Sequence, residues 1–296
     1  MPNSSRAISS DVERSAPGGD LRAASSDLRA APSGTARAAS RGDPRWLQIA
    51  FLGSFLCFGI AARDFPVWHA PLVFAACLAT QRFCSRALRV SDNGWLSPVI
   101  TSFGLTLLLR SDLSWPFLLA AIVAIASKFL IRINGRHILN PANAGLCAAM
   151  LATPHAWCSP TQWGESAALL LWISALGLAV AHRAFRSDAS LAFLGAFIAL
   201  KASRVLWLGQ DTSVLAHQLE SGSLLLFAFF MISDPKTTPR GRLARVGFGS
   251  AVACIAFAMQ LHFINNAVVW ALLVCAPLTP LLDALESNPC GKQLSF

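Results

Sequence analysis

An all-α integral membrane protein is the fold class this chain predicts, and three observations carry it. Hydrophobic residues make up 54% of the 296-residue chain and charged residues only 13%, which excludes an ordinary soluble domain and a disordered chain. From Trp46 onward the apolar residues gather into ten segments: 47–62, 66–80, 96–109, 116–133, 139–153, 166–182, 189–208, 221–233, 246–263 and 266–282. The third observation is where the charges fall. The loops after segments two, four, six and eight hold eleven basic residues: Arg82, Arg86, Arg89, Arg132, Arg136, Arg183, Arg186, Lys236, Arg240, Arg242 and Arg245. The loops after the odd segments hold Arg63 and Arg110 alone. The positive-inside rule turns that bias into an orientation, with the even loops and both termini in the cytoplasm of a bacterial-type inner membrane. The formal charge of +9 then needs no nucleic acid as partner; the partner is the bilayer.

Residues 1–45 are rich in Ser, Ala, Arg, Gly and Asp with almost no apolar content, and read as a disordered cytoplasmic tail. They carry too many acidic residues for a transit peptide and no apolar core for a signal peptide. Residues 46–285 form the transmembrane domain, and 286–296 a short C-terminal tail. Trp46, Trp68, Trp95, Trp115, Trp157, Trp163 and Trp207 lie at or near segment ends, where an interfacial belt places them. Several segments fall short of the roughly 20 residues of a comfortable span and are read as partial helices or helices extended by polar flanks.

Ten segments divide into two fives, and an odd number per half inverts one half relative to the other. The third segment of each half is short. Leu96-Ser-Pro-Val-Ile-Thr-Ser-Phe-Gly104 opens one, with Ser97-Pro98 as its expected helix start, and Leu219-Glu-Ser-Gly-Ser223 opens the other. Short or interrupted segments at corresponding places in two halves point to a midplane binding site.

Segment eight is the sharpest case. It reads either as a broken membrane helix whose loop faces a cavity or the interface, or as a slightly irregular helix followed by a basic cytoplasmic loop. Its apolar run stops at Ser233-Asp234-Pro235, because Pro235 lacks a backbone donor and disfavours helical geometry at Asp234. The last carbonyls of such a helix are unpaired and partly negative. Lys236 is placed to neutralise them, and Asp234, Thr237 and Thr238 to bond freed backbone groups or the polar edge of a ligand. Asn140-Pro141 reads as an N-cap followed by proline at the first helical position. Asn143, one turn further on, should face either another helix or a ligand. Lys128 and Arg132 stand four apart on one predicted helix face, either snorkelling to the interface or forming an anion site. Lys201 and Arg204 lie within segment seven, with Asp211 and Glu220 as candidate partners. The eight cysteines are scattered and read as small apolar fillers. No phosphate-binding loop, nucleophile elbow or pair of catalytic carboxylates is present.

Three stretches, Asn140-Pro-Ala-Asn-Ala-Gly145, Trp163-Gly-Glu-Ser166 and the run from Ser221 through Phe229-Phe-Met-Ile-Ser-Asp-Pro-Lys-Thr-Thr-Pro239, resemble motifs of the RnfD/NqrB family in order and spacing. So does the closing Ala276-Pro-Leu-Thr-Pro-Leu-Leu-Asp283. The likeness covers about residues 95–285. It is closest to a compact, UnbU-like branch associated with enediyne biosynthesis, through residues 126–132 and the whole 229–239 stretch. The resemblance implies a membrane subunit of an ion-translocating electron-transport complex, working with other subunits. It also implies ten helices in two inverted five-helix repeats, and a flavin bound inside the bundle. Larger family members attach FMN to a Thr of a Ser-Gly-Ala-Thr motif between helices five and six. That motif is absent here, and Thr161 is the sole threonine of the corresponding loop (154–165), so any FMN or other flavin is expected to be held non-covalently. The candidate cofactor-binding set is Lys128, Asn140, Asn143, Ser221, Gly222, Asp234, Thr237 and Thr238. The alternative from another class is a cofactor-free transporter or channel for a natural product.

Overall fold

A computed structural model describes residues 44–61, 68–90, 94–158, 167–219 and 222–287. The expected N-terminal tail up to residue 43, Thr161 and Trp163, Glu220, Ser221 and the last nine residues lie outside the described residues.

Each of the ten apolar segments contains a helix. They are α1 (Pro44–Ala61), α2 (His69–Ala87), α3 (Leu96–Leu108), α4 (Trp115–Leu130), α5 (Pro141–Ala152), α6 (Ala167–Arg183), α7 (Ser187–Trp207), α9 (Gly222–Leu226), α10 (Arg242–Leu261) and the pair α11 (Ala267–Cys275) and α12 (Leu278–Ser287). A further short helix, α8 (Thr212–Leu219), was not anticipated. Among the described residues, α7 and α10 are long and apolar enough to cross a membrane, and up to four spans result if bent pairs such as α11 and α12, which meet at 44°, are each taken as one. Three of the apolar helices are short: α3, α4 and α5 run 12 to 16 residues, about 18–24 Å at 1.5 Å per residue.

Two of these short helices are continued by extended chain. Leu109–Ser111 (β1) follows α3, Ala156–Cys158 (β4) follows α5, and the two pair antiparallel, with Leu109 opposite Cys158. Leu109 and Arg110 are buried. Extended backbone is tolerated at such depth because the pairing satisfies its polar groups. The all-α architecture is interrupted by short extended stretches at this point and at a second. The apolar run of segment four reaches residue 133, but α4 ends at Leu130, and Arg132–Ile133 (β2) turns back on Arg136–His137 (β3). Asn134 and Gly135, at φ +50° and +77°, make the turn. Positive φ at both central residues is what a two-residue hairpin requires, and Asn-Gly supplies it at low cost.

The two halves pack in the same order. α1 packs on α3, α2 on α4, and α4 on α5; α6 packs on α9, α7 on α10, and α10 on α11. Backbones approach closely in each half, at different crossings. A Cβ on Gly145 of α5 would lie 2.4 Å from the Ala120 carbonyl oxygen of α4, and one on Gly249 of α10 would lie 2.4 Å from that of Ala189 in α7. Small residues at such crossings let helices associate where lipid offers no hydrophobic drive.

The loops segregate by parity. At one end, Arg136 of the hairpin bonds the backbone at 235–238 and Asp283, while Arg245 pairs with Asp188 at 2.6 Å. At the other end, β1 meets β4, and His155 approaches Asp112 at 3.5 Å. Six of the predicted belt tryptophans, at 46, 68, 95, 115, 157 and 207, are exposed.

Candidate functional site

The apolar helix α9 passes into one turn of π-helix, Phe227–Met231, before the chain turns. The wider turn is closed by Ile232 N–H donating to the Phe227 carbonyl at 3.1 Å, which leaves the later carbonyls of this helix end in need of donors. Side chains supply them. Ser190 Oγ donates to the Ala228 carbonyl at 2.6 Å, Ser233 Oγ to that of Phe229, Asn140 Nδ2 to that of Met231 at 3.3 Å, and Thr238 Oγ1 to that of Ile232 at 2.8 Å. Two of the four donors, Ser190 in α7 and Asn140 at the N-cap of α5, lie far away in sequence, so this break is held by tertiary structure. The bulky π-turn also needs space beside it. A Cβ on Gly177 of α6 would lie 2.8 Å from the Phe229 ring.

The Asp234 turn is tied down in the same way. Asp234 Oδ1 accepts from Lys236 N–H at 3.0 Å, and the Asp234 carbonyl accepts from the amides of Thr237 and Thr238 at 3.1 Å. Arg136 Nη2 donates to the carbonyls of Pro235, Lys236 and Thr238 at 3.0–3.1 Å, while its Nη1 holds Asp283 at 2.8 Å. Thr279 Oγ1 donates to the Thr237 carbonyl at 2.8 Å. The rigid donor fork of arginine suits this task better than a lysine would.

Beside the π-turn lies a cavity of about 440 Å³. Its apolar walls come from Leu52 of α1, Ile100, Leu107 and Leu108 of α3, Val180 of α6, and Leu226 with Phe229–Met231. Its polar lining comprises Arg45 and Gln48 of α1, Ser97 and Thr101 of α3, His137, Asn140, and Ser233, Asp234 and Lys236 of the turn. His137 sits in the hairpin and is buried. Loss of solvation drives its pKa down to about 4; Asp234 opposes that shift, and the cations Lys236, Lys128 and Arg132 reinforce it. The imidazole in this wall is therefore neutral at physiological pH. A mostly apolar chamber with a few convergent polar groups is the ordinary form of a small-molecule site, and its volume falls within their range of about 300–1,000 Å³.

The predicted residues divide in their relation to this cavity. Asn140 and Asp234 line it. Asn140 is also the N-cap of α5, accepting from Asn143 N–H at 3.1 Å, with Pro141 at the first helical position. Asn143 is buried and lines, with Asn140 and Thr237, a second and much smaller void; its Oδ1 has no hydrogen-bond partner among the described residues. Thr238 is buried in the turn. Gly222 is the first residue of α9, and Ser221 lies outside the described residues. Lys128 does not snorkel. It is 4% exposed and donates from Nζ to Gln81 Oε1 of α2 and to Ser97 Oγ of α3, each at 3.0 Å. Arg132 does not share its helix face, because the helix has ended and Arg132 is exposed in β2. Ser97 is likewise no cap; α3 begins at Leu96, and no side chain caps it. Lys201 lies over the Phe197 ring at 5.6 Å, and Asp211 accepts instead from Ser213 N–H at 2.7 Å.

Sequence reasoning missed Arg136, Ser190, Thr279 and Gln81. Nothing local distinguishes Ser190 or Gln81 within its helix. Arg136 had a signal, since it follows Asn134-Gly135 and a hairpin there would fold it back toward the bundle.

Fold and site together define a multi-pass helical membrane protein with a cavity beside a broken helix. Residues 158–290, a little under half of the chain, match the model of the NQR2, RnfD, RnfE family. That region contains the π-turn, the Asp234 turn and Asp283, and is similar to the membrane subunits grouped in that family. No curated protein matches the chain.

Proposed function

We propose that this protein is an RnfD/NqrB-like membrane subunit of an electron-transport complex, and that its cavity holds a flavin or a quinone-like group without covalent attachment. The cavity carries this reading, supported by the family match over the half that builds the π-turn and the Asp234 turn. The residues present suit such a group. Phe229, Phe230 and Leu108 offer apolar and aromatic walls to a planar ring, and Arg45 and Lys236 offer positive charge to an anionic tail. When bound, the group would supply the electron transfer; the protein supplies position, a dry environment and electrostatics. His137, held neutral, adds a hydrogen-bonding group to that wall without adding charge. Asn140 is largely committed to holding the Met231 carbonyl and the start of α5, so its role is to keep the wall in shape. The likeness of residues 126–132 and 229–239 to the UnbU-like branch extends the proposal to a biosynthesis-associated complex in a bacterial-type inner membrane, with both termini cytoplasmic and ten segments in two inverted repeats.

A cofactor-free transporter or channel is the second reading, favoured by the parallel packing order of the two halves around broken helices. One experiment separates them. The protein is purified from its host membrane in mild detergent, its visible absorption recorded, and the sample then denatured and filtered. The expected result is a flavin spectrum or an extractable quinone, with any flavin passing into the filtrate. Protein free of both groups, and binding neither when they are added, supports the transporter. Flavin retained with the denatured chain overturns the non-covalent assignment and makes Thr161→Ala the next variant.

A further inference from the structure

We propose that Lys128 is a positioning residue, which acts through Ser97 to present a polarised hydroxyl donor to an oxygen acceptor on the occupant of the cavity. The inference deepens the redox reading above and rests on it.

Lys128 is not part of the cavity lining; it stands one residue behind it. Its Nζ, carried by the last turn of α4, donates to Ser97 Oγ at 3.0 Å, and Ser97 is on the wall. Gln81 Oε1, also at 3.0 Å, holds the ammonium from the α2 side. A serine oxygen that accepts from an ammonium is left with one hydrogen to give, and chains of hydrogen bonds polarise one another, so that hydrogen becomes a stronger donor.

The other hydroxyls of the wall, and Asn140 in part, are already engaged. Thr101 Oγ1 donates to the Ser97 carbonyl at 3.0 Å, and Ser233 Oγ to the Phe229 carbonyl. Asn140 spends Nδ2 on Met231 and its oxygen on Asn143. Among the described hydroxyls lining the cavity, Ser97 alone keeps its hydrogen uncommitted. The arrangement suits an acceptor at that point, such as a ring carbonyl of a flavin or quinone. It also places a cation one hydrogen bond behind that oxygen, where negative charge would gather on reduction. Lys128 is 4% exposed, so water screens this charge little.

The test is a double-mutant cycle on the purified full-length chain, stripped of bound groups. Riboflavin and a short-chain 1,4-benzoquinone serve as probes, followed by fluorescence quenching. Ser97→Ala and Lys128→Met should each weaken the probe that binds by about five- to tenfold, and the double variant should be no weaker than Lys128→Met alone. The midpoint potential of the bound probe should fall in both single variants, a shift that a merely structural role would not give. If Lys128→Met does not yield monodisperse protein, Lys128→Gln completes the cycle, and Ser97→Ala is decisive in either case. Wild-type affinity and potential in Ser97→Ala, or losses that multiply in the double variant, overturn the inference and leave the redox reading standing. Wild-type protein that binds neither probe overturns both.

Discussion

The carbonyls of residues 228, 229, 231 and 232 show how single side chains make a broken helix tolerable in a membrane protein. Each would be costly if left unpaired away from water, about 1–3 kcal/mol by mutational measure, and each has a named donor: Ser190, Ser233, Asn140 or Thr238. His137 is the residue at this site whose protonation the fold opposes. Burial lowers its pKa to about 4, whereas the unfolded chain titrates near 6.5. Between these values the unfolded state takes up a proton that the folded state refuses, so stability falls as pH drops from 6.5 toward 4. Thermal unfolding in detergent should therefore show a midpoint that declines across this window. His137→Gln, which keeps a neutral hydrogen-bonding side chain, should flatten that dependence. An identical decline in both proteins would place the titrating group elsewhere.

Among the elements, α10 offers a controlled comparison within one helix. Gly249 meets the Ala189 carbonyl so closely that an added Cβ forces the backbones apart, while nothing lies within 4 Å of a Cβ added at Gly247. Alanine gains about 1 kcal/mol in helix propensity at either position. Gly247→Ala should consequently raise the unfolding midpoint. Gly249→Ala should lower it, because overpacking against backbone costs roughly 1–3 kcal/mol and exceeds the gain. Equal stabilisation by both would mean that α7 and α10 do not cross as closely as described. The hairpin β2–β3 is the other telling element. It carries Arg136 to the Asp234 turn and His137 to the cavity, so a two-residue Asn-Gly turn sets the position of two site residues at once.

On the scale of the whole molecule, the ends divide by loop parity. The even loops meet through Arg136, Asp188, Arg245 and Asp283, and the odd loops through β1 and β4. With the basic residues crowded at the even end, the expected orientation has that end in the cytoplasm. Reporter fusions at the two termini should both report from the cytoplasmic face, and a fusion in the 154–158 region from the opposite one. A terminus reporting from outside would invert the orientation and place the Asp234 turn and the cavity's charged residues on the outer face.

Composition, segment boundaries and loop charge were decided by the sequence itself, because burial in lipid demands long apolar runs and the charges that flank them. The N-cap at Asn140, a side-chain effect, and the end of the helix just ahead of Asp234-Pro235 were equally local. Other features waited on tertiary structure. Lys128 and Arg132 look alike four residues apart, yet one is buried against Gln81 and Ser97 and the other is exposed, since the helix ends between them. The donors to the π-turn come from α7, from Asn140 and from the turn itself, far apart in sequence. A cavity exists only where several helices fail to fill the space between them, and no single stretch of chain records that. Sequence marks where backbone groups will lack partners; which side chains reach them depends on how the helices pack.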